Sequence, residues 1–380
     1  MVKIIYLVLS IILMMPGAVL ASDELKFSWD TVPLYAHFGA RRGMTDAEVR
    51  FIASHYDFIT LEKFHGANPH GGVSEPGTFA DTARIKAINP DAKVLFYWNL
   101  LLDYPAYEAS KTRVNDKDWF LKTLDGKLHY KRGTLKRYDL SNADWRKWWV
   151  GVAKKSLAAG KMDGLFIDAI PQISLQPKAR IREWGAEKYT AVERGIGQTL
   201  NDLQQALGPD KITIYNGIRS VPGGWSHGGT KYLNNASGII TDHFNMFNST
   251  GPTQIAADLA RMSTAAKAGK IVIFKAWPGF SWLDKPAMKL PLAALKQRAR
   301  DNISFPLAAF LIVAQEQSYF NYTWGYRETH GAFDWYPEFD KPLGQPLNDA
   351  TQSGYEYRRN FKRASVYLNI KDKTAKITWR

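Results

Sequence analysis

The chain has 380 residues, 45% hydrophobic and 23% charged, a composition that suits one large packed domain and excludes a disordered chain. Its formal net charge is +14, yet the basic residues are spread along the chain, which disfavours a nucleic-acid-binding stripe. It has no cysteine, which excludes disulfides and thiolate chemistry.

The first element is a targeting signal. Lys3 precedes the apolar run 4–15, Pro16-Gly17 breaks it, and Val19-Leu20-Ala21 offers short residues before Ser22. The expected result is cleavage after Ala21 and a periplasmic or secreted bacterial protein. The run is too short for a stable membrane span, and an uncleaved anchor is the alternative.

Eight β-like runs follow: 32–38, 58–64, 93–98, 164–169, 211–215, 238–244, 270–276 and 318–324. Most are continuously apolar and β-branched or aromatic, as parallel strands buried on both faces must be. Helical patterns lie between them. Thr45-Asp46-Ala47-Glu48 reads as a capping box opening a helix to about Tyr56. Further helices are expected over 81–88, 142–159, 189–207, 254–268 and 291–310, the last broken near Pro306. Eight strands alternating with helices predict a (β/α)8 TIM barrel, with a doubly wound sheet as the alternative. The expected organisation is a signal peptide at 1–21, a catalytic barrel at 22–330 and a C-terminal extension at 331–380. In that extension, 365–370 and 375–379 read as a short β-hairpin packed on the barrel.

In such a barrel the chemistry sits at the C-terminal ends of the strands. Asp168 ends the run Leu165-Phe166-Ile167, and Asp242 ends Ile239-Ile240-Thr241. Each run starts at a glycine, Gly164 or Gly238. A carboxylate at the end of a buried strand is costly unless it is used or paired. Two facing carboxyls are the requirement for cleaving a glycosidic bond. Asp168 could instead cap the following loop, and Asp242 could pair with Lys275. Glu62 is the rival carboxylate and is read here as a substrate-hydroxyl or Asp partner. Asp139 binds sugar or, as the residues slightly favour, organises its turn. Asn99, Asn216, Lys275, Asn321 and Tyr322 also fall at strand ends and are expected to hold sugar hydroxyls. Trp98, Trp277 and Trp324 are expected to stack on sugar rings. Trp145, Trp148 and Trp149 have helical spacing and read as core. No zinc, serine-hydrolase or P-loop motif occurs, so no metal or organic cofactor is expected.

Arg137-Tyr-Asp-Leu-Ser-Asn-Ala-Asp-Trp-Arg, then Met162-Asp-Gly-Leu-Phe-Ile-Asp168, resembles bacterial TIM-barrel glycosidases, in particular the hypothetical glycosyl hydrolase family numbered fifteen. Lys341-Pro-Leu-Gly-Gln-Pro, Tyr357-Arg-Arg-Asn-Phe and Ser365-Val-Tyr-Leu-Asn are similar to its closing segment. The resemblance covers nearly all of the mature chain. It implies a glycoside hydrolase acting on a poly- or oligosaccharide. The placement of two Asp on strands four and six is similar to the α-galactosidase and α-glucosidase clan. That similarity implies a retaining mechanism with Asp168 as nucleophile and Asp242 as acid/base, the latter's pKa raised by burial. Inverting chemistry, a transglycosylase and an inactive carbohydrate-binding barrel are the alternatives. The expected partner is a carbohydrate, with an anionic glycan suggested by the net charge, and no nucleic acid.

Overall fold

The structure is a computed structural model that describes residues 25–114 and 116–380; the segment read as a signal peptide lies outside them. Eight parallel strands form one sheet in sequence order: β1 (Ala36–Phe38), β2 (Phe58–Leu61), β3 (Lys93–Asn99), β4 (Gly164–Asp168), β5 (Ile212–Asn216), β6 (Gly238–Thr241), β7 (Ile271–Ala276) and β8 (Ser318–Tyr322). Parallel bridges Leu34–Phe320 and Gly39–Arg327 join the last strand to the first. Tyr35 N donates to Phe320 O at 2.8 Å across that seam, and the sheet closes into a barrel. The expected (β/α)8 architecture is therefore present. Gly164 and Gly238 open the two strands that carry Asp168 and Asp242. A Cβ at either would lie 1.9 Å from Ile212 O or 2.2 Å from Ile271 O, so only glycine lets the neighbouring strand approach.

The outer layer contains α1 (Asp46–His55), α2 (Glu75–Ile88), α3 (Ala143–Ala159), α4 (Ala186–Leu207), α5 (Pro252–Lys267), α6 (Leu292–Asn302) and α7 (Ser304–Val313). The capping box at α1 forms as read: Glu48 N donates to Thr45 Oγ1 at 3.3 Å, and Thr45 N to Glu48 Oε2 at 2.8 Å. Helix α2 starts at Glu75, six residues before the expected Asp81. Pro76 suits its first turn, and Gly77 packs against Gly66, a contact with no apolar signature. The break in the last helical stretch falls at Ile303, which leaves Pro306 in the first turn of α7 where it is tolerated. No helix among the described residues is long and apolar enough to cross a membrane.

Strands β9 (Thr351–Ser353), β10 (Glu356–Asn360), β11 (Ala364–Asn369) and β12 (Thr374–Trp379) form an antiparallel sheet after the barrel. The expected hairpin is β11–β12. Two further strands extend the sheet from its β11 edge, one of them the charged run Glu356-Tyr-Arg-Arg-Asn. Ala364, Val366 and Leu368 alternate inward, and the sheet packs on α7. Arg359 fastens the two units. Its buried guanidinium donates to Leu311 O at 2.9 Å and to Ala314 O, and its Nε donates to Asn348 O at 3.0 Å. It thus satisfies carbonyls at the C-terminus of α7 that would otherwise be orphaned. Arg359→Met is expected to destabilise the protein by about 3 kcal/mol, read as a lower urea midpoint with the slope unchanged.

Candidate active site

The cleft lies at the C-terminal ends of the barrel strands and has a volume of about 650 Å³. Asp168, Asp242, Glu62 and Asn216 all line it. Side chains alternate along a strand, so residues two apart share a face. On β4, Phe166 and Asp168 face the barrel axis, and on β5 Asn216 does the same.

Asn216 joins the two aspartates. Its Nδ2 donates to Asp168 Oδ1 at 2.9 Å and to Asp242 Oδ2 at 3.2 Å. Those two oxygens can be no farther apart than the two bonds laid end to end, roughly 6 Å. Asp168 is held by three further donors. Ala169 N donates to Oδ1 at 2.7 Å, Asn99 Nδ2 to Oδ2 at 3.3 Å, and the Tyr97 hydroxyl to Oδ2. Ala169 adopts a φ of 88°, a left-handed conformation strained for alanine, directly after the carboxylate to which its N–H donates. On Asp242, Tyr326 donates to Oδ1 at 2.6 Å, and His243 Nδ1 lies 3.3 Å from Oδ2.

The two carboxyls sit in different fields. Burial pushes Asp168 above its ordinary value; Lys63 and the Tyr97 hydroxyl oppose this, while Asp242 and Glu62 add to it. Burial also acts on Asp242, but His243, the Tyr326 hydroxyl, Lys275 and His37 outweigh it and hold that carboxyl below its ordinary value. This corrects the expectation that burial raises Asp242: the neighbouring donors and positive charge win. His243 is itself pushed down to about 4, chiefly by burial, so its charge acts on Asp242 only in acid, and at pH 7 the Tyr326 hydroxyl and Lys275 remain as groups opposing burial.

Glu62 forms a separate group. His37 Nε2 lies 2.8 Å from its Oε2, and Lys63 pairs with its Oε1. Against the cost of burial, Lys63 and His37 hold Glu62 below its ordinary value, and burial's effect on Lys63 is in turn outweighed by Glu62. Glu62 is thus a paired anion on the cleft wall.

Several residues expected to touch sugar do not line the cleft. Trp98 is one residue out of phase with Tyr97 and Asn99, so it faces the helices, edge-on to Tyr107, tilted against Trp148 and stacked on Trp149. Tyr322 faces outward likewise and donates to Ala299 O on α6 at 2.8 Å. Trp324 is buried against Phe280 and Gly331. Asn321 bonds Tyr35 O at 2.8 Å and accepts from Lys275 Nζ at 3.0 Å. Lys275 also donates to Thr323 Oγ1 at 2.5 Å and does not pair with Asp242; burial pushes it down to about 7. Asp139 accepts from Ser141 N at 3.0 Å and Lys188 Nζ at 2.7 Å, which makes it the organiser of its turn. Trp277 is buried behind the site and donates to Asp242 O at 2.9 Å. Asn99 is not in the lining either; it holds Asp168 from behind and caps Leu101 and Leu102 N.

Half-buried Trp282, Phe247 and Tyr326 form an aromatic wall of the cleft, with Trp282 stacked on Trp277 at 5.3 Å. None of the three lies in a strand, so strand-end reasoning missed them. Tyr97 was missed as a second residue on the inward face of β3. Among the described residues, no cluster of three or more His, Asp or Glu side chains is arranged to hold a metal ion.

The model of hypothetical glycosyl hydrolase family 15 matches residues 86–365 of the chain. A noncanonic maltogenic α-amylase, AmyB from Thermotoga neapolitana, has a similar fold at 10% identity and a TM-score of 0.50, over 90% of this chain and 86% of that one. The ligand-free cyclic α-maltosyl-(1→6)-maltose hydrolase from Arthrobacter globiformis is similar at 13% identity and 0.50, over 91% and 86%. Both likenesses are of fold. No curated protein matches in sequence.

Proposed function

The chain belongs to hypothetical glycosyl hydrolase family 15, and from that premise we propose that it hydrolyses a glycosidic bond of an oligo- or polysaccharide with Asp168 and Asp242 as the reacting carboxyls. The observation that carries this reading is the single Asn216 nitrogen shared by two carboxylates at the ends of β4 and β6, above an aromatic-walled cleft. The two facing oxygens lie within roughly 6 Å of each other, which is compatible with the short carboxyl spacing of a retaining, double-displacement course.

The unequal fields assign the roles. The field around Asp168 favours its protonated form and the field around Asp242 favours its anion, and a pair whose proton affinities are pushed apart divides into acid and anion. This is the reverse of the order the clan similarity implies. Asp168 protonates the glycosidic oxygen as that bond breaks, and Asp242 attacks the anomeric carbon to form a glycosyl ester. Water, giving its proton to Asp168, then hydrolyses the ester. Trp282 offers the flat apolar face on which a sugar ring stacks. The N-terminal pattern supports export, where polysaccharide is met.

The pH dependence follows with its sign. Asp242 must be ionised, so activity falls on the acid side below the ordinary carboxylate range. Asp168 must be protonated, so activity falls on the alkaline side as it ionises, above that range. A bell-shaped kcat/KM profile is expected.

The test is a panel of neutral and anionic polysaccharides scored for new reducing ends. The native protein is expected to release ends from at least one, the folded Asp242→Asn variant from none, and the folded Asp168→Asn variant about 10²–10⁴ more slowly. Undiminished activity after either change would move the chemistry to another carboxylate, Glu62 first. Binding without cleavage would leave a sugar-binding barrel.

A further inference from the structure

One end of the cleft is walled by cations. Lys131, Arg132, Arg137 and Arg180 line it together with Gln172 and Gln176. Arg137 is only 3% exposed and Arg180 8%, so those two are not solvated surface charges; Lys131 is half-buried and Arg132 exposed. The backbone fixes Arg137 by a bridge to Leu102, just beyond β3, and its Nη1 donates to Gln172 Oε1 at 3.1 Å. Gln172 follows Asp168 by four residues, which ties this end to the reacting carboxyls. Glu183 pairs with Arg180 at 2.6 Å. Among the described residues Lys131, Arg132 and Arg137 have no ion-pair partner, and the Nε atoms of Arg137 and Arg180 are buried with no acceptor.

Such a gathering of like charges is unfavourable by itself. Burial and mutual repulsion push Arg137 down to about 10 and lower Lys131. Buried guanidinium N–H groups without acceptors cost free energy that an oxyanion would recover through charge-assisted hydrogen bonds. A neutral sugar hydroxyl would leave the like charges uncompensated.

We propose that Arg137 and Arg180 form a subsite for an oxyanion carried by the substrate, so that the glycan bears carboxylate or sulfate groups. This rests on the carbohydrate reading of the cleft but not on cleavage. The test is therefore binding to the full chain silenced by Asp242→Asn. The ligands are short oligomers of glucuronate, galacturonate and mannuronate, each beside its neutral methyl ester, and sulfated galactose oligomers beside unsulfated ones. At least one charged oligomer is expected to bind about tenfold or more tighter than its neutral partner, with the preference falling as salt rises. Arg137→Met is expected to erase the preference and leave the neutral ligand's affinity unchanged; Arg180→Gln serves as the second variant. Preference for uronates identifies carboxylate as the group, and preference for the sulfated series identifies sulfate. Equal binding of every charged and neutral pair would overturn the subsite, as would a preference that survives both substitutions. Charge preference in a protein that cleaves no glycan would keep the subsite and remove the hydrolase.

Discussion

Asp242→Gly is expected to lower kcat by about four orders of magnitude or more on every substrate, and added azide is expected to restore part of it. Removal of the carboxylate takes away the attacking atom and leaves a space beside Asn216. Azide fits that space and attacks the anomeric carbon directly, giving a glycosyl azide of inverted configuration. The readout is kcat with and without azide, plus the configuration of the azide product by NMR. A structural role for Asp242, such as holding Tyr326 and Asn216 in place, would produce the loss but no glycosyl azide. Asp242→Asn tests the same point with the space kept filled. It keeps an acceptor for Tyr326 and is expected to remain folded and nearly inactive.

Asp168→Ala is expected to act differently. Loss of general-acid assistance costs about 10²–10⁴ on sugars with poor leaving groups and far less on aryl glycosides with acidic phenols. The leaving group then departs unaided, while attack by Asp242 is intact and release of the glycosyl ester becomes the slow step. The measurement is kcat/KM against leaving-group acidity, which should be steep in the variant and shallow in the native protein. The alkaline limb of the pH profile should also vanish, since Asp168 is the group whose ionisation produces it. Equal losses on all leaving groups would make Asp168 the nucleophile and exchange the two roles.

The barrel was legible because most strands are apolar runs that stop at or just before a polar residue; six of the eight runs contain their strand, and the runs 93–98 and 211–215 stop one residue short of it. The same logic brought Asp168, Asp242, Glu62 and Asn216 to the cleft. It misplaced Trp98 and Tyr322 because a strand reverses face at every residue, and burial on both sides hides the phase. Tyr97 and Trp98 are adjacent and equally aromatic; only the hydrogen bond to Asp168 and the stacking on Trp149 tell them apart. Trp282 and Phe247 were illegible for another reason. They sit on loops, where no periodicity relates position to direction. The direction of the Asp242 shift was beyond the sequence too, since it depends on how His243, Tyr326, Lys275 and His37 are placed around the carboxyl, and Tyr326 reaches it across 84 residues of chain.

The most direct measurement is to trap the glycosyl ester. A fluorinated glycosyl fluoride of the sugar that the panel identifies would be turned over with the native protein, and the labelled peptide located by mass spectrometry. The expected label is on Asp242, in the peptide containing Thr241-Asp242-His243. A label on Asp168 would preserve the pair and reverse its roles, and a label on Glu62 or any other residue would contradict the account.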